Sequence, residues 1–342
     1  MLKEAKTRHE TDAIIIGAGP VGLFAIFQLG MLKLACHVVD ALPVPGGQLS
    51  ALYPEKPIYD IPGFTSILAG ELVDRLLAQA KPFHPQFHQD CTVTSLSRLP
   101  DGRWEVDLSD GQVLIAPVVI IAAGPGAFGP HRPPLDGLAD YENKSVFYMV
   151  RRSADFAGKR VVIAGGGDSA VDWAICLADI AARVMVIHRR AKFRAAPASA
   201  ARLLALAEAG AVDLVVPCQL HGLEGAAGIL SAVVVSDLEG HQRKLPADVL
   251  LAFFGLASQL GPIAQWGLEM DGHQIAVDAA RLATNLPGVF AIGDIASYPG
   301  KLKLILQGFS EAAMAAQAAH CVVRPDRAIH FEHSTTLGVP VV

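Results

Sequence analysis

Two short stretches carry glycines at the spacing that nucleotide chemistry requires. Gly17, Gly19 and Gly22 close the segment Asp12–Gly22, and Gly165, Gly167 and Ala170 close the segment Arg160–Ala170. In a G-x-G-x-x-G/A turn the first glycine permits the sharp bend. The second lets the backbone approach a diphosphate, and the third lets the following helix lie close on its strand. The free N–H groups at the helix start complete an anion site.

Asp40 and His188 stand at the same offset, 23 residues, from Gly17 and Gly165. A carboxylate there accepts hydrogen bonds from ribose hydroxyls and repels a 2′-phosphate. In the second segment the acid is replaced by His188, with Arg189, Arg190 and Arg194 close behind. Guanidinium groups make charge-assisted, bidentate contacts to phosphate. The first loop is therefore expected to hold a nucleotide with free ribose hydroxyls. The second, through Gly165, Gly167, Asp168, Ser169, Ala170, His188, Arg189, Arg190 and Arg194, is expected to hold NADP(H). A solvated surface run of arginines is the plain alternative.

Two nucleotide sites of opposite ribose preference imply a flavin that exchanges electrons with a pyridine nucleotide. The residues after Asp40 fit a flavin cradle. Pro45–Leu49 is a glycine turn carrying one amide, Gln48, and Tyr53 follows. Asp294, after the strand-like run that ends at Gly293, can reach a ribityl hydroxyl. A helix beginning near Gly308 would turn its positive end toward the flavin and stabilise negative charge by about 0.3–2 kcal/mol. Chemistry of this kind needs no catalytic acid, base or nucleophile from the protein, and no metal.

Both segments share one grammar: apolar run, glycine turn, amphipathic helix, second apolar run. Continuous apolar runs suit parallel strands covered on both faces, and two βαβ units point to an α/β fold with two doubly wound, Rossmann-like domains. Between them, 91–123 reads as a strand meander ending in a buried strand. The economical arrangement inserts one domain in the other. The outer domain, 1–122 plus 285–342, would bind the flavin nucleotide, and the inner one, 123–284, would bind NADP(H), with Gly- and Pro-rich junctions.

Composition excludes several other classes. Of 342 residues, 52% are hydrophobic and 18% charged, which is globular rather than disordered. The net charge of −5, with no long basic run, gives no reason to expect nucleic acid as a partner. No apolar run approaches the roughly 18 residues needed to span a bilayer, so a soluble cytoplasmic protein is expected. The five cysteines, Cys36, Cys91, Cys176, Cys218 and Cys321, contain no C-x-x-C pair. They read as buried thiols, not as a disulfide framework, zinc site or dithiol centre.

These motifs, with Gly46–Leu49, His188–Arg190, Phe193–Ala195 and Ala291–Asp294, resemble the low-molecular-weight thioredoxin reductases over nearly the whole chain. That family carries a C-x-x-C before its second fingerprint. Here the matching stretch, 145–152, has no cysteine, so disulfide exchange is unavailable. The chain is more similar still to the thioredoxin-reductase-like ferredoxin–NADP⁺ reductases (type 2), through Ala51–Lys56, Gly165–Trp173 and the tail His333–Gly338. That resemblance implies FAD as cofactor, with Asp40, Gln48, Tyr53, Val93, Phe128, Asp294 and Thr335 as its contacts beside Gly17, Gly19 and Gly22. It also implies that Tyr53 stacks on one flavin face, and that His333 and Thr335 of the tail cover the other within a homodimer. Val93 and Phe128 are the weakest of these, and from the residues alone the core reading is favoured for both. The acceptor would be ferredoxin or flavodoxin, with Lys56, Lys301 and Lys303 as docking charges. A reductase of quinone or another small acceptor, or a non-catalytic redox-sensing flavoprotein, stays open at this stage.

Overall fold

The computed structural model describes residues 7–327 and 338. The chain forms two compact units, 1–128 with 258–342, and 129–257.

The first unit is built on a five-stranded parallel sheet in the order Val289–Ala291, Val118–Ile121, Ala13–Ile16, Cys36–Val39, Gln86–His88. Successive side chains of a strand point to opposite faces, and this sheet uses both. Ala13, Ile15, Val38, Val118, Ile120 and Phe290 pack against the helices Pro20–Met31, Ala69–Ala80 and Ile305–Val323. Ile14, Ile16, Val119, Ile121, Val289 and Ala291 pack against a second sheet. That sheet has the order Arg8–Glu10, Val113–Ala116, Trp104–Leu108, Val93–Arg98. Covering both faces explains why Ala13–Ile16, Val118–Ile121 and Val289–Ala291 are apolar at every position.

Helix Ile305–Val323 presents Ala312, Ala315, Ala316 and Ala319, all at most 1% exposed, on one face. This i, i+3, i+4, i+7 stripe of small residues lets it run close to Pro20–Met31. The approach is tightest at Gly308, where a Cβ would lie 2.3 Å from Val21 Cγ2. The helix begins three residues before the expected Gly308.

The second unit repeats the plan. Its parallel sheet runs Val146–Phe147, Val249–Ala252, Arg160–Ala164, Arg183–Ile187, Val212–Val215. Helix Asp168–Leu177 packs on its central strands. On the other face Val162, Ala164, Met185, Ile187 and Leu250 meet Leu230, Val233, Val235 and Leu245 of an antiparallel sheet, Gln219–Ala226, Ile229–Ser236 and Gln242–Pro246. That sheet was not expected from the residues, because its outer strands are largely exposed and carry scattered charge.

Residues 258–284, expected with the inserted segment, cluster with the first unit. The reason is packing. Ile263, Leu268 and Ile275 enter the core under the meander, and Gln274–Ala276 pairs with Ala296–Ser297. Among the described residues no helix is long and apolar enough to cross a membrane.

Ile15 and Ile163 are fully buried on the central strands of the two units. Ile15→Ala or Ile163→Ala is expected to cost about 2–5 kcal/mol by transfer loss and cavity formation. Chemical denaturation checks this, and a loss below about 1 kcal/mol would contradict the packing described.

Candidate functional site

The two glycine loops are built alike. Gly17 N–H donates to Val39 O (2.8 Å) and Gly165 N–H to Ile187 O (3.0 Å), so each loop is tied to the strand that ends in Asp40 or His188. The first glycine is obligatory in both. A Cβ on Gly17, whose φ is +109°, would lie 2.4 Å from Ala122 O, and one on Gly165 would lie 2.6 Å from Phe253 O. Gly22 is required for close packing, since its Cβ would sit 2.0 Å from Gly17 O. The middle glycines differ in kind. A Cβ on Gly19 or Gly167 would meet nothing within 4 Å. Each is the N-cap of its helix, with no side-chain cap bond. The backbone is thus bare and open where a diphosphate would approach the helix N–H groups.

At the first loop, the Asp40 carboxylate accepts from Ala18 N–H (2.5 Å) and Leu42 N–H (2.8 Å). Each oxygen keeps a further acceptor site for a ligand hydroxyl. Burial pushes the Asp40 carboxyl up, and the Leu42 and Ala18 amides oppose that shift. The turn Gly46–Gly47 lies against the loop: Gly46 N–H donates to Ala18 O (2.8 Å), and a Cβ on Gly47 would come within 3.0 Å of Gly19 Cα. Half-buried Gln48 opens the short helix Gln48–Leu52, which ends at Tyr53.

Burial, and then the charge of Asp294, push the Tyr53 phenol up, so these two residues share one neighbourhood and Tyr53 stays neutral. Lys56 Nζ sits 5.9 Å from the Tyr53 ring centroid. Asp294 is exposed in the turn Gly293–Ile295. The start of helix Ile305–Val323 reaches the same place, because Gly293 and Gly308 both abut Val21 of the loop helix.

Other expected residues lie differently. Val93 is buried in the meander core, so its side chain faces the protein. Phe128 lies on the strand Ala127–Pro130, and its side chain is outside what is described. His333 and Thr335 lie outside the described residues. Lys301 is a correction. Its side chain is 6% exposed and forms an ion pair with Glu311, which removes it from any docking surface. Lys303 is exposed.

At the second loop, the Asp168 carboxylate accepts from Ala196 N–H (2.8 Å), and Arg194 N–H donates to Gly166 O (2.7 Å). Both bonds hold the arginine-bearing segment 189–196 against the glycine loop. Arg189, Arg190 and Arg194 are exposed, and among the described residues none of the three has an ion-pair partner. His188 does not join them at the surface. It is 8% exposed, stacks on Phe193 with centroids 5.6 Å apart, and lies so near Gly166 that a Cβ there would be 2.3 Å from the ring. Burial, then the charges of Arg194, Arg189 and Arg190, lower its basicity. A neutral ring supports the loop from below, and its Nε2 has no hydrogen-bond partner among the described residues.

Sequence reasoning missed two groups. One is the buried Glu311, whose signal was that it is the single acid in the helix Ile305–Val323. The other is a histidine cluster on the strands beside Asp40. His37 Nδ1 and His88 Nε2 are 2.9 Å apart with ring centroids 5.1 Å apart, so the two nitrogens meet nearly head-on. Such a bond needs one N–H and one lone pair, and doubly protonated rings cannot make it. His9 lies 5.7 Å and 6.2 Å from the two rings, centroid to centroid.

Two Rossmann-like units, each with an open glycine loop and with opposite charge at the strand end, define a dinucleotide-dependent oxidoreductase. The pyridine nucleotide-disulphide oxidoreductase family matches residues 11–320, and the chain belongs to it. Within that family it groups with the ferredoxin–NADP reductases. It is 68% identical to the one from Paramagnetospirillum magneticum over 97% of this chain and 99% of that protein. The one from Rhodospirillum rubrum is 62% identical over 98% of each chain. Among solved structures, the Lactococcus lactis thioredoxin reductase superposes with a TM-score of 0.77 at 23% identity, covering 92% of this chain and 99% of that one. The T. acidophilum thioredoxin reductase gives 0.77 at 24%, covering 91% and 98%. The fold is therefore thioredoxin-reductase-like.

The histidine cluster predicts a pH dependence. Burial, then His88 and His9, lower His37 from 6.5 to about 4, so between these values the folded chain binds fewer protons than the unfolded one. Stability is full above pH 6.5 and falls as pH drops toward about 4. His37→Gln should flatten the thermal midpoint against pH in that window. An unchanged slope would refute the assignment.

Proposed function

We propose that this chain is an FAD-dependent ferredoxin–NADP⁺ reductase, in which the first unit holds FAD and the second NADP(H). The observation that carries the reading is the pair of matched glycine loops with opposite strand ends: an acid with free acceptor capacity at Asp40, and, at Arg189 and Arg190, exposed guanidinium groups with no ion-pair partner among the described residues. The open backbone at Gly19 and Gly167 suits a diphosphate at each. When bound, the flavin accepts hydride from the nicotinamide and can release electrons singly.

The chain's own residues bind and orient. Asp40 takes the ribose hydroxyls of the adenosine half. Gly17, Gly19 and Gly22 admit the diphosphate, and Asp294 takes a ribityl hydroxyl. Gln48 and the neutral phenol of Tyr53 line the ring site. On the second unit Gly165, Gly167, Ser169 and Ala170 form the loop, Asp168 and His188 hold its shape, and Arg189, Arg190 and Arg194 take the 2′-phosphate. Val93 and Phe128 complete the FAD contacts in this reading. Thr335 and His333 act from the tail, in a homodimer. No C-x-x-C stands anywhere in the chain, so electrons leave without a sulfur relay, and a ferredoxin or flavodoxin is the partner that fits. The exposed Lys303 suits an acidic partner. The relatives that bear the reductase name support this reading, and a cytoplasmic setting goes with it.

Arg189→Ala/Arg190→Ala should raise the KM for NADPH by about ten- to a hundredfold, the loss of a charge-assisted phosphate contact, and leave that for NADH nearly unchanged. Equal effects on both nucleotides would refute the 2′-phosphate assignment.

NADPH-dependent cytochrome c reduction should be strongly stimulated by added ferredoxin. Absence of stimulation, together with rapid turnover of a quinone, would overturn the choice of acceptor.

A further inference from the structure

Glu311 is 0% exposed, yet none of the proposed ligand contacts uses it. Both of its oxygens are hydrogen-bonded. Oε2 accepts from Gly293 N–H (2.7 Å), and Oε1 accepts from the Tyr298 hydroxyl (2.7 Å) and from Lys301 Nζ. Gln307 Nε2 donates to the Tyr298 hydroxyl (2.8 Å). The Lys301 ammonium also lies 5.6 Å from the Tyr298 ring centroid. Burial, then the bond to Glu311, push the Tyr298 phenol up to about 12, so it remains a donor.

What this carboxylate grips is the turn that carries Asp294. Ile292 N–H donates to Ile121 O (2.9 Å) before the turn. Gly293 N–H is held by Glu311, and Asp294 O accepts from Gln274 Nε2 (2.8 Å). The backbone on both sides of Asp294 is thus pinned, whereas its carboxylate is exposed and makes no hydrogen bond within the protein among the described residues. A fixed backbone bearing an uncommitted acid is the arrangement of a preorganised ligand contact.

We propose that Glu311, neutralised by Lys301, is the positioning residue of the flavin site: it holds the Gly293 amide so that Asp294 is presented to the ribityl chain. The inference rests on the FAD reading above. Only a carboxylate serves here. All three groups around it are donors, so an amide in its place would aim an N–H at one of them and leave a buried ammonium without its counter-charge.

The test is a double-mutant cycle on FAD affinity, measured by flavin fluorescence quenching with FAD-stripped protein. Glu311→Gln should weaken FAD by about ten- to a hundredfold, as expected for loss of a charged hydrogen bond, and leave NADPH affinity unchanged. In an Asp294→Ala background the same substitution should cost about twofold or less, since two residues acting through one contact are not additive. Tyr298→Phe, which removes one donor and no charge, should act in the same direction by about two- to fivefold, and carries the cycle if Glu311→Gln does not fold. Equal losses with and without Asp294, or no loss at all, would overturn the proposal. Wild-type protein that takes up no FAD would instead bring down the functional reading on which it stands.

Discussion

Backbone meets backbone at the head of the helix Pro20–Met31, and the first unit is arranged around that contact. Gly22 lies where any Cβ would strike Gly17 O at 2.0 Å, and Gly17 where one would strike Ala122 O at 2.4 Å. Removing side chains at these two points brings a helix start, two strand ends and a crossover within touching distance. It leaves the backbone between them, at Gly19, open. Polar groups at such a crowded corner need partners, and they have them: Ala18 N–H goes to Asp40, Ala18 O to Gly46, and Gly17 N–H to Val39. The acid expected to read a ribose is therefore also a brace of the loop. The second unit repeats the tie of the first glycine to its strand, Gly165 N–H to Ile187 O, but there a neutral, buried imidazole fills the space beneath Gly166 and the charge is carried outward by arginines.

A second layer of support lies behind the contacts that face the ligand. Asp168 is spent on the amide of Ala196, His188 on packing, and Lys301 on Glu311. Each looked in sequence like a group for a ligand or partner, and in the structure each braces a neighbouring segment. Burying a charge is costly unless it is paired and hydrogen-bonded, and the Lys301–Glu311 pair meets both conditions through Tyr298 and Gly293. The result is rigidity where an electron-transfer site needs it. Fixed geometry around a cofactor tunes and orients it without supplying acid–base chemistry.

The histidine cluster extends the same logic to the edge of the sheet. His37 and His88 join the strands that flank Asp40 by a single shared proton, and Asp40 N–H donates to His88 O at 2.9 Å. The strand end that would hold the adenosine ribose thus lies beside two rings whose basicity burial has lowered.

What the residues determined unaided was whatever rests on local steric rules and short periodicities. The glycine spacing, the apolar runs and the shared 23-residue offset to Asp40 and His188 suffice for two doubly wound units, the loops and the opposite strand-end charges, because each depends on neighbours within one βαβ unit. The absence of a cysteine pair likewise needed no coordinates. Tertiary structure decided what depends on distant segments: that 258–284 belongs with the first unit through Ile263, Leu268 and Ile275, that 219–246 forms a sheet, and that Lys301 turns inward. A lysine in a polar stretch has no local mark of burial. Its fate depends on one carboxylate ten residues later, brought to it by the packing of an alanine-faced helix against the helix Pro20–Met31.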